Sequence, residues 1–185
     1  MNILAFAGSL RSGSLNKALL RNAKEAAPEG MEIEIFDLEG IPLFNADLEK
    51  EGVPERVNEF KEAIRRSDGI LIASPEYNHG MSGVTKNAVD WASRPPKNPV
   101  MMGKPAAIVG ASPGITGTAR SQEQLRQTLK GLDVRCMASP EFLLYRAKEK
   151  LDDEGVLTDD STRDFLKTFM KEFADWVSIF LNHKD

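Results

Sequence analysis

The sequence predicts an α/β domain: an open parallel sheet of five strands, in the order 2-1-3-4-5, with helices on both faces. Three observations lead there. Short apolar segments alternate five times with amphipathic helix patterns, as parallel strands joined by right-handed crossovers do. The segments at 2–8 and 69–73 are apolar throughout, like strands covered on both faces, whereas 31–37 alternates with charge, like a sheet edge. The unusual loops 8–16, 74–80 and 110–117 follow the first, third and fourth strands. The proposed order pools those three loops at one rim, where open α/β sheets hold ligands.

Each element has its own signal. Residues 2–8 form a short apolar run stopped by Gly8. Over 14–27, Leu15, Ala18, Leu19, Ala23 and Ala26 make one helical stripe, ended by Pro28 and Gly30. In 31–37, Met31, Ile33 and Ile35 oppose Glu32, Glu34 and Asp37, with Phe36 out of phase. Residues 38–52 read as a long connection whose Ile41-Pro42-Leu43-Phe44-Asn45 is expected to pack against something, such as a partner chain or a ligand. Pro54 can open a helix over 54–67 with Val57, Phe60, Ala63 and Ile64 inward. Helices are expected at 82–94 and 119–131, on either side of a fourth strand at 106–109. Val134-Arg135-Cys136-Met137 reads as the other edge strand, and 144–160 as a charged loop. The last helix, about 161–182, opens on the capping pattern Ser161-x-x-Asp164. Its stripe is Phe165, Leu166, Phe169, Met170, Phe173, Trp176, Val177 and Phe180.

At 185 residues the chain suits one domain, 1–185, with a sizeable core. A net charge of −4 argues against nucleic acid or an anionic membrane as partner, since both call for a basic face. No apolar run approaches 18 residues, and the N-terminal apolar residues read as a strand rather than a leader. The single cysteine, Cys136, forms no internal disulfide and reads as a structural thiol in an edge strand; the expected compartment is the cytoplasm, with no metal site.

The first loop, Gly8-Ser9-Leu10-Arg11-Ser12-Gly13-Ser14-Leu15-Asn16, sits between a strand and a helix. Such a turn offers backbone N–H groups, and the helix start adds unpaired amides and the positive end of its dipole. Ser9, Ser12 and Ser14 add hydroxyls, and Arg11 a planar fork suited to phosphate. An ATP-type loop is excluded because Ser14 stands where a lysine must follow the second glycine. The dinucleotide fingerprint is excluded because Leu10 stands where its second glycine belongs. His79 suggests a Ser–His hydrolase with Ser12 or Ser14, but there is no G-x-S-x-G elbow and the other histidine is His183 in the tail.

Taken together, Gly8-Ser9-Leu10-Arg11 with Ser14 and Asn16, Pro75-Glu76-Tyr77-Asn78, and Lys86-Asn87-Ala88 with Asp90-Trp91 resemble the NADPH-dependent FMN reductase family, over residues 2 to about 142. Residues 143–185 match no motif. The resemblance implies a flavodoxin-like three-layer α/β/α sandwich that holds FMN and takes NADPH or NADH as electron donor. It implies that Ser9, Arg11, Ser14, Leu15 and Asn16 hold the phosphate and ribityl chain. Pro75, Glu76, Tyr77 and Asn78 would line the isoalloxazine ring, with Ser112 and the Gly114–Gly117 turn at its other edge. His79 and Phe44 are expected at the substrate pocket. Arg120 and Glu141 are expected either as a surface pair or as subunit contacts, since related reductases form dimers and tetramers.

The implied reaction carries a hydride from NAD(P)H through flavin N5 to a quinone, azo compound, chromate or free flavin, by a ping-pong route with no side-chain base. A non-enzymatic FMN electron carrier on the same fold is the competing expectation, and a flavin-free phosphate-ligand regulator a third. A homodimer or homotetramer is expected, its interface covering the last helix, the 38–52 loop and Trp91.

Overall fold

The computed structural model describes residues 1–181 of the 185. The elements are β1 (Asn2–Ala7), α1 (Leu15–Glu25), β2 (Glu32–Phe36), α2 (Ala46–Glu51), α3 (Glu55–Arg66), β3 (Gly69–Ala73), β4 (Glu76–Tyr77), β5 (Gly80–Met81), α4 (Gly83–Ala92), β6 (Pro105–Ala111), α5 (Ala119–Gly131), β7 (Arg135–Cys136), β8 (Phe142–Leu144), α6 (Ala147–Lys150) and α7 (Asp160–Leu181). The main sheet runs β2-β1-β3-β6-β7, and every pairing in it is parallel. With β6 as the fourth strand, this is the expected order, and the alternating β2 lies at an edge.

The fifth position differs from expectation. The strand expected at 134–137 supplies only its first half: β7 runs beside Pro105 and Ala106. The chain then leaves the sheet and returns as β8 beside Val109, Gly110 and Ala111. Ser139-Pro140 interrupts the strand pattern there, because proline has no N–H for a ladder. The connection 38–52 contains the short α2, capped by Asn45, whose Oδ1 accepts from Asp47 N at 2.9 Å. Loop 144–160 contains α6 and an antiparallel bridge between Leu151 and Leu157. The N-cap of α7 is Asp159 rather than Ser161: its carboxylate accepts from Thr162 N at 2.8 Å and from the Ser161 hydroxyl at 2.9 Å. The Thr162 hydroxyl and amide, with the Ser161 hydroxyl, hold its pKa down to about 2, so its contribution to stability is complete above the ordinary carboxylate range and fades as pH falls toward 2. Residue 182, the expected end of the helix, and His183 lie outside the described residues.

Each face of the sheet buries its own core. On one, Ile3 and Ala5 of β1 and Leu71 of β3 meet Leu19, Leu20 and Ala23 of α1 and Leu166, Phe169, Phe173 and Val177 of α7. On the other, Leu4 and Phe6, Ile70 and Ile72, and Ile108 meet α3, α4 and α5. Phe60 of α3 stands edge-on to Phe6 at 5.2 Å and also touches Phe36. Burying each such side chain contributes about 1.5–3 kcal/mol. Of the expected α7 stripe, Phe165 is exposed and stacks on Phe142, while Trp176 and Phe180 pack on each other at its C-terminal end. Trp91 is fully buried, so it forms core and contributes no surface to an interface.

Gly8, at the end of β1, is fixed by packing. A Cβ there would lie 1.8 Å from Thr85 Oγ1 and 2.9 Å from Ser82 Oγ, both at the start of α4. Ser82 Oγ also donates to the Gly8 carbonyl at 2.6 Å. Gly8→Ala should therefore destabilise the protein by about 1–3 kcal/mol through overpacking. A denaturant midpoint equal to wild type would show that α4 yields freely at this contact.

Candidate functional site

The carboxyl ends of β1, β3 and β6 are fastened to one another before any loop begins. Gly8 N donates to Ala73 O and Ser74 N to Val109 O, each at 2.9 Å. Asn16, on the first turn of α1, reaches across to β6: its Nδ2 donates to Ala111 O at 2.9 Å and its Oδ1 accepts from Ala111 N at 3.0 Å. Its side-chain amide thus ties α1 to β6, and Asn16 also lines the cleft between them. Ser14 caps α1, its Oγ accepting from Lys17 N at 3.3 Å. The amides of Leu15 and Asn16 have no helical carbonyl one turn back.

These residues wall a polar cleft of ≈ 310 Å³ that gathers Ser9, Arg11, Ser14, Leu15, Asn16, Pro75, Glu76, Tyr77 and Ser112. Asn78, Gly114 and Gly117 do not line it. Asn78 (φ 49°) and His79 (φ 67°) are the two central residues of the tight β4–β5 hairpin, which requires positive φ at both. Both are exposed at its tip, so His79, expected at the substrate pocket, borders neither cleft. Gly117 (φ 56°) is demanded by β8, because a Cβ would lie 2.8 Å from the Leu143 carbonyl carbon. The Gly114 carbonyl accepts from Arg146 N at 2.8 Å.

Glu76 contributes backbone rather than charge. Its carboxylate accepts from Arg120 N and Arg120 Nη1, each at 3.1 Å, and from Ser121 N at 3.4 Å, so it caps α5. Arg120 therefore pairs with Glu76, while Glu141 lies 2.9 Å from Arg126 Nη1. The expected Arg120–Glu141 surface pair does not form within the chain. By contrast, Arg11 has no hydrogen-bond or ion-pair partner among the described residues, and Ser9, 5% exposed, has none for its hydroxyl.

A second, larger cleft of ≈ 550 Å³ continues from the first, sharing Ser9, Arg11 and Tyr77. Its walls are apolar: Leu10, Leu38, Ile41, Leu43, Val84 and Ala88. Phe44, expected here, packs instead edge-on to Trp91 at 5.0 Å, and Leu43 takes the cleft side. Asn87 and Trp91 set that arrangement. Asn87 Nδ2 and Trp91 Nε1 both donate to Pro42 O, at 2.9 and 2.8 Å, and Asn87 Oδ1 accepts from Phe44 N at 2.8 Å. The third motif thus clamps the 42–44 loop against α4. Sequence reasoning missed Lys148 of α6, which borders the polar cleft and lies in a stretch with no motif to announce it. Cys136 is mostly buried, and desolvation pushes its thiol up to about 11, which suits a structural role. Among the described residues, no helix is long and apolar enough to cross a membrane.

The arrangement can hold an anion at the start of α1 and a flat group along β4 and the third loop, with an apolar space beside it. Known proteins resemble the chain over nearly its whole length. The sequence model of the NADPH-dependent FMN reductase family matches residues 1–149. An NAD(P)H-dependent FMN reductase of Pseudomonas aeruginosa is 49% identical over 177 residues, covering 96% of this chain and 95% of its own. A 2-hydroxy-1,4-benzoquinone reductase of a Burkholderia species is 41% identical, with 96% of each chain covered. The solved structure of FerB, a flavoenzyme NAD(P)H:(acceptor) oxidoreductase from Paracoccus denitrificans, superposes with a TM-score of 0.89 at 35% identity, covering 97% of this chain and 98% of its own. The chain belongs to the NADPH-dependent FMN reductase family.

Proposed function

We propose that the chain is a cytoplasmic flavoenzyme that uses FMN to pass electrons from NADPH or NADH to quinones and similar acceptors, among them azo compounds, chromate and free flavin. One observation carries the reading: a polar cleft with unpartnered donors opens directly into an apolar cleft across Tyr77. The donor set fits FMN. The amides of Leu15 and Asn16, the hydroxyls of Ser9 and Ser14 and the guanidinium of Arg11 suit a phosphate dianion. The backbone of Glu76–Tyr77 and of Ser112 suits the polar edges of a flat ring. FMN, when bound there, would supply the redox chemistry, hydride uptake from NAD(P)H and electron delivery to the acceptor.

The chain's own residues bind, orient and exclude water. Leu10, Leu38, Ile41, Leu43 and Val84 offer an apolar surface to a nicotinamide or a quinone. With the Glu76 carboxylate committed to α5 and His79 at the hairpin tip, neither serves as a proton donor or acceptor in the cleft. A single apolar cleft receives donor and acceptor in turn. A pure electron carrier has no use for so roomy an apolar cleft, which favours the enzyme.

A homodimer is part of this reading. Leu10 (49% exposed), Leu43 (80%), Tyr77 (50%) and Ile115 (76%) all stand on the loops of the cleft rim. Apolar side chains gathered in this way mark a contact surface, and a two-fold partner would cover them and complete the cleft wall. Light scattering at micromolar concentration should give about twice the chain mass of 20.4 kDa. A single-chain mass would remove the dimer.

Two experiments test the chemistry. Arg11→Ala should weaken FMN about ten- to a hundredfold and leave riboflavin nearly unchanged, because only FMN carries the phosphate. Equal weakening of both flavins would mean that Arg11 does not touch the phosphate. Steady-state rates with NAD(P)H varied at several quinone concentrations should give parallel double-reciprocal lines, the mark of ping-pong turnover. Intersecting lines would require donor and acceptor to be bound together.

A further inference from the structure

We infer that Lys148 is a second phosphate-binding cation of the cofactor site, acting with Arg11 although 137 residues separate the two in sequence; this rests on the proposed FMN reading and extends it. Lys148 and Arg11 are the two basic side chains among the residues lining the ≈ 310 Å³ cleft. The carboxylate there, Glu76, is neutralised by Arg120 and by the amides of α5. The cleft is therefore bordered by two solvent-exposed basic side chains, neither with an ion-pair partner among the described residues. A phosphate monoester carries about −1.5 to −2 at pH 7, so the charges match one such dianion.

Lys148 is placed there by the fold. Arg146 N donates to Gly114 O at 2.8 Å and Ala147 N to Ser112 O at 2.9 Å, which ties the start of α6 to the third rim loop. Ala147 and Leu151, one turn apart, are buried in the core beside α1 and α7. The following turn is clamped to α1 by Asn22, which donates to Gly155 O at 2.7 Å and accepts from Leu157 N at 2.8 Å. Gly155 sits so close to α1 that a Cβ would lie 2.9 Å from Ala18 Cβ. Residues 146–157 are thus anchored at both ends, and Lys148 shares both the cleft and the adjoining cavity with Gly13, Ser14 and Leu15 at the start of α1.

The adjoining cavity that Lys148 also lines carries Arg21, Asp152, Asp153 and Glu154, and none of them pairs with it. Lys148 has no ion-pair or hydrogen-bond partner among the described residues. Asp152, across the adjoining cavity, is occupied by its own turn, accepting from Glu154 N at 3.0 Å and Val156 N at 2.8 Å. Two residues on, Lys150 is committed elsewhere: its Nζ lies 4.1 Å from the Tyr145 ring centroid and donates to Thr162 Oγ1 at 3.2 Å.

The test compares FMN with riboflavin, by fluorescence quenching, in flavin-stripped wild type, Lys148→Gln, Lys148→Arg and Lys150→Gln. Lys148→Gln should weaken FMN about five- to twentyfold and riboflavin less than about twofold, the effect of one charge-assisted contact from a solvent-exposed lysine. Lys148→Arg should restore most of the loss, and Lys150→Gln should match wild type. Retained riboflavin affinity reports that the variant is folded. A Lys148→Gln protein with the wild-type preference for FMN, or with equal weakening of both flavins, overturns the inference and leaves the FMN reading intact. An equal loss in Lys150→Gln also overturns it, by showing a general charge effect. A wild type that binds both flavins alike overturns the phosphate site itself.

Discussion

The two-way hydrogen bond between Asn16 and Ala111 is the contact on which the rim depends. Parallel strands fix their own spacing but not the loops that leave them. Here one side chain gives the Ala111 peptide both an acceptor and a donor, and so joins the first turn of α1 to the end of β6. Its 4% exposure means that both bonds lie where a lost partner goes unreplaced by water. With Gly8 N on Ala73 O and Ser74 N on Val109 O, the ends of three strands become one platform. The open amides at the start of α1 are then held at a set distance from the third loop, which a preorganised anion site requires.

A second layer of contacts decides what faces that platform. Glu76 stabilises the start of α5, where Thr118 has a left-handed backbone and supplies no side-chain cap. Asn87 and Trp91 turn Phe44 inward and leave Leu43 on the cleft side. The polar and apolar halves of the cleft therefore follow from side chains committed to the scaffold. The glycines behave in the same way: Gly8 yields to Thr85, Gly110 to Thr118 and Gly117 to Leu143, so the rim is glycine-rich because its own helices and strands press close.

Most of the fold was legible from periodicity. Continuous apolar runs marked β1 and β3, alternation marked the β2 edge, and three odd loops implied the strand order. Short elements were harder. β8 has three residues and follows a proline, so no window of alternation exists to read. α2 and α6 are too brief for a helical stripe, and α6 is held by bonds to Ser112 and Gly114 that sequence spacing does not reveal. In the cleft, residue types gave the neighbourhood but not the direction of each side chain. Asn16, Glu76 and Phe44 were found in the right loops yet turn their side chains to the scaffold. Lys148 was unreadable because its position depends on a turn clamped to α1 by Asn22, a contact spanning more than a hundred residues.

The central claim is that the rim holds FMN. The most direct measurement is the absorption spectrum of the purified protein, or of protein incubated with FMN and freed of excess, followed by chromatography of the flavin released on denaturation. The account predicts the flavin bands, and FMN rather than FAD in the supernatant. A colourless protein that takes up no added FMN would contradict it.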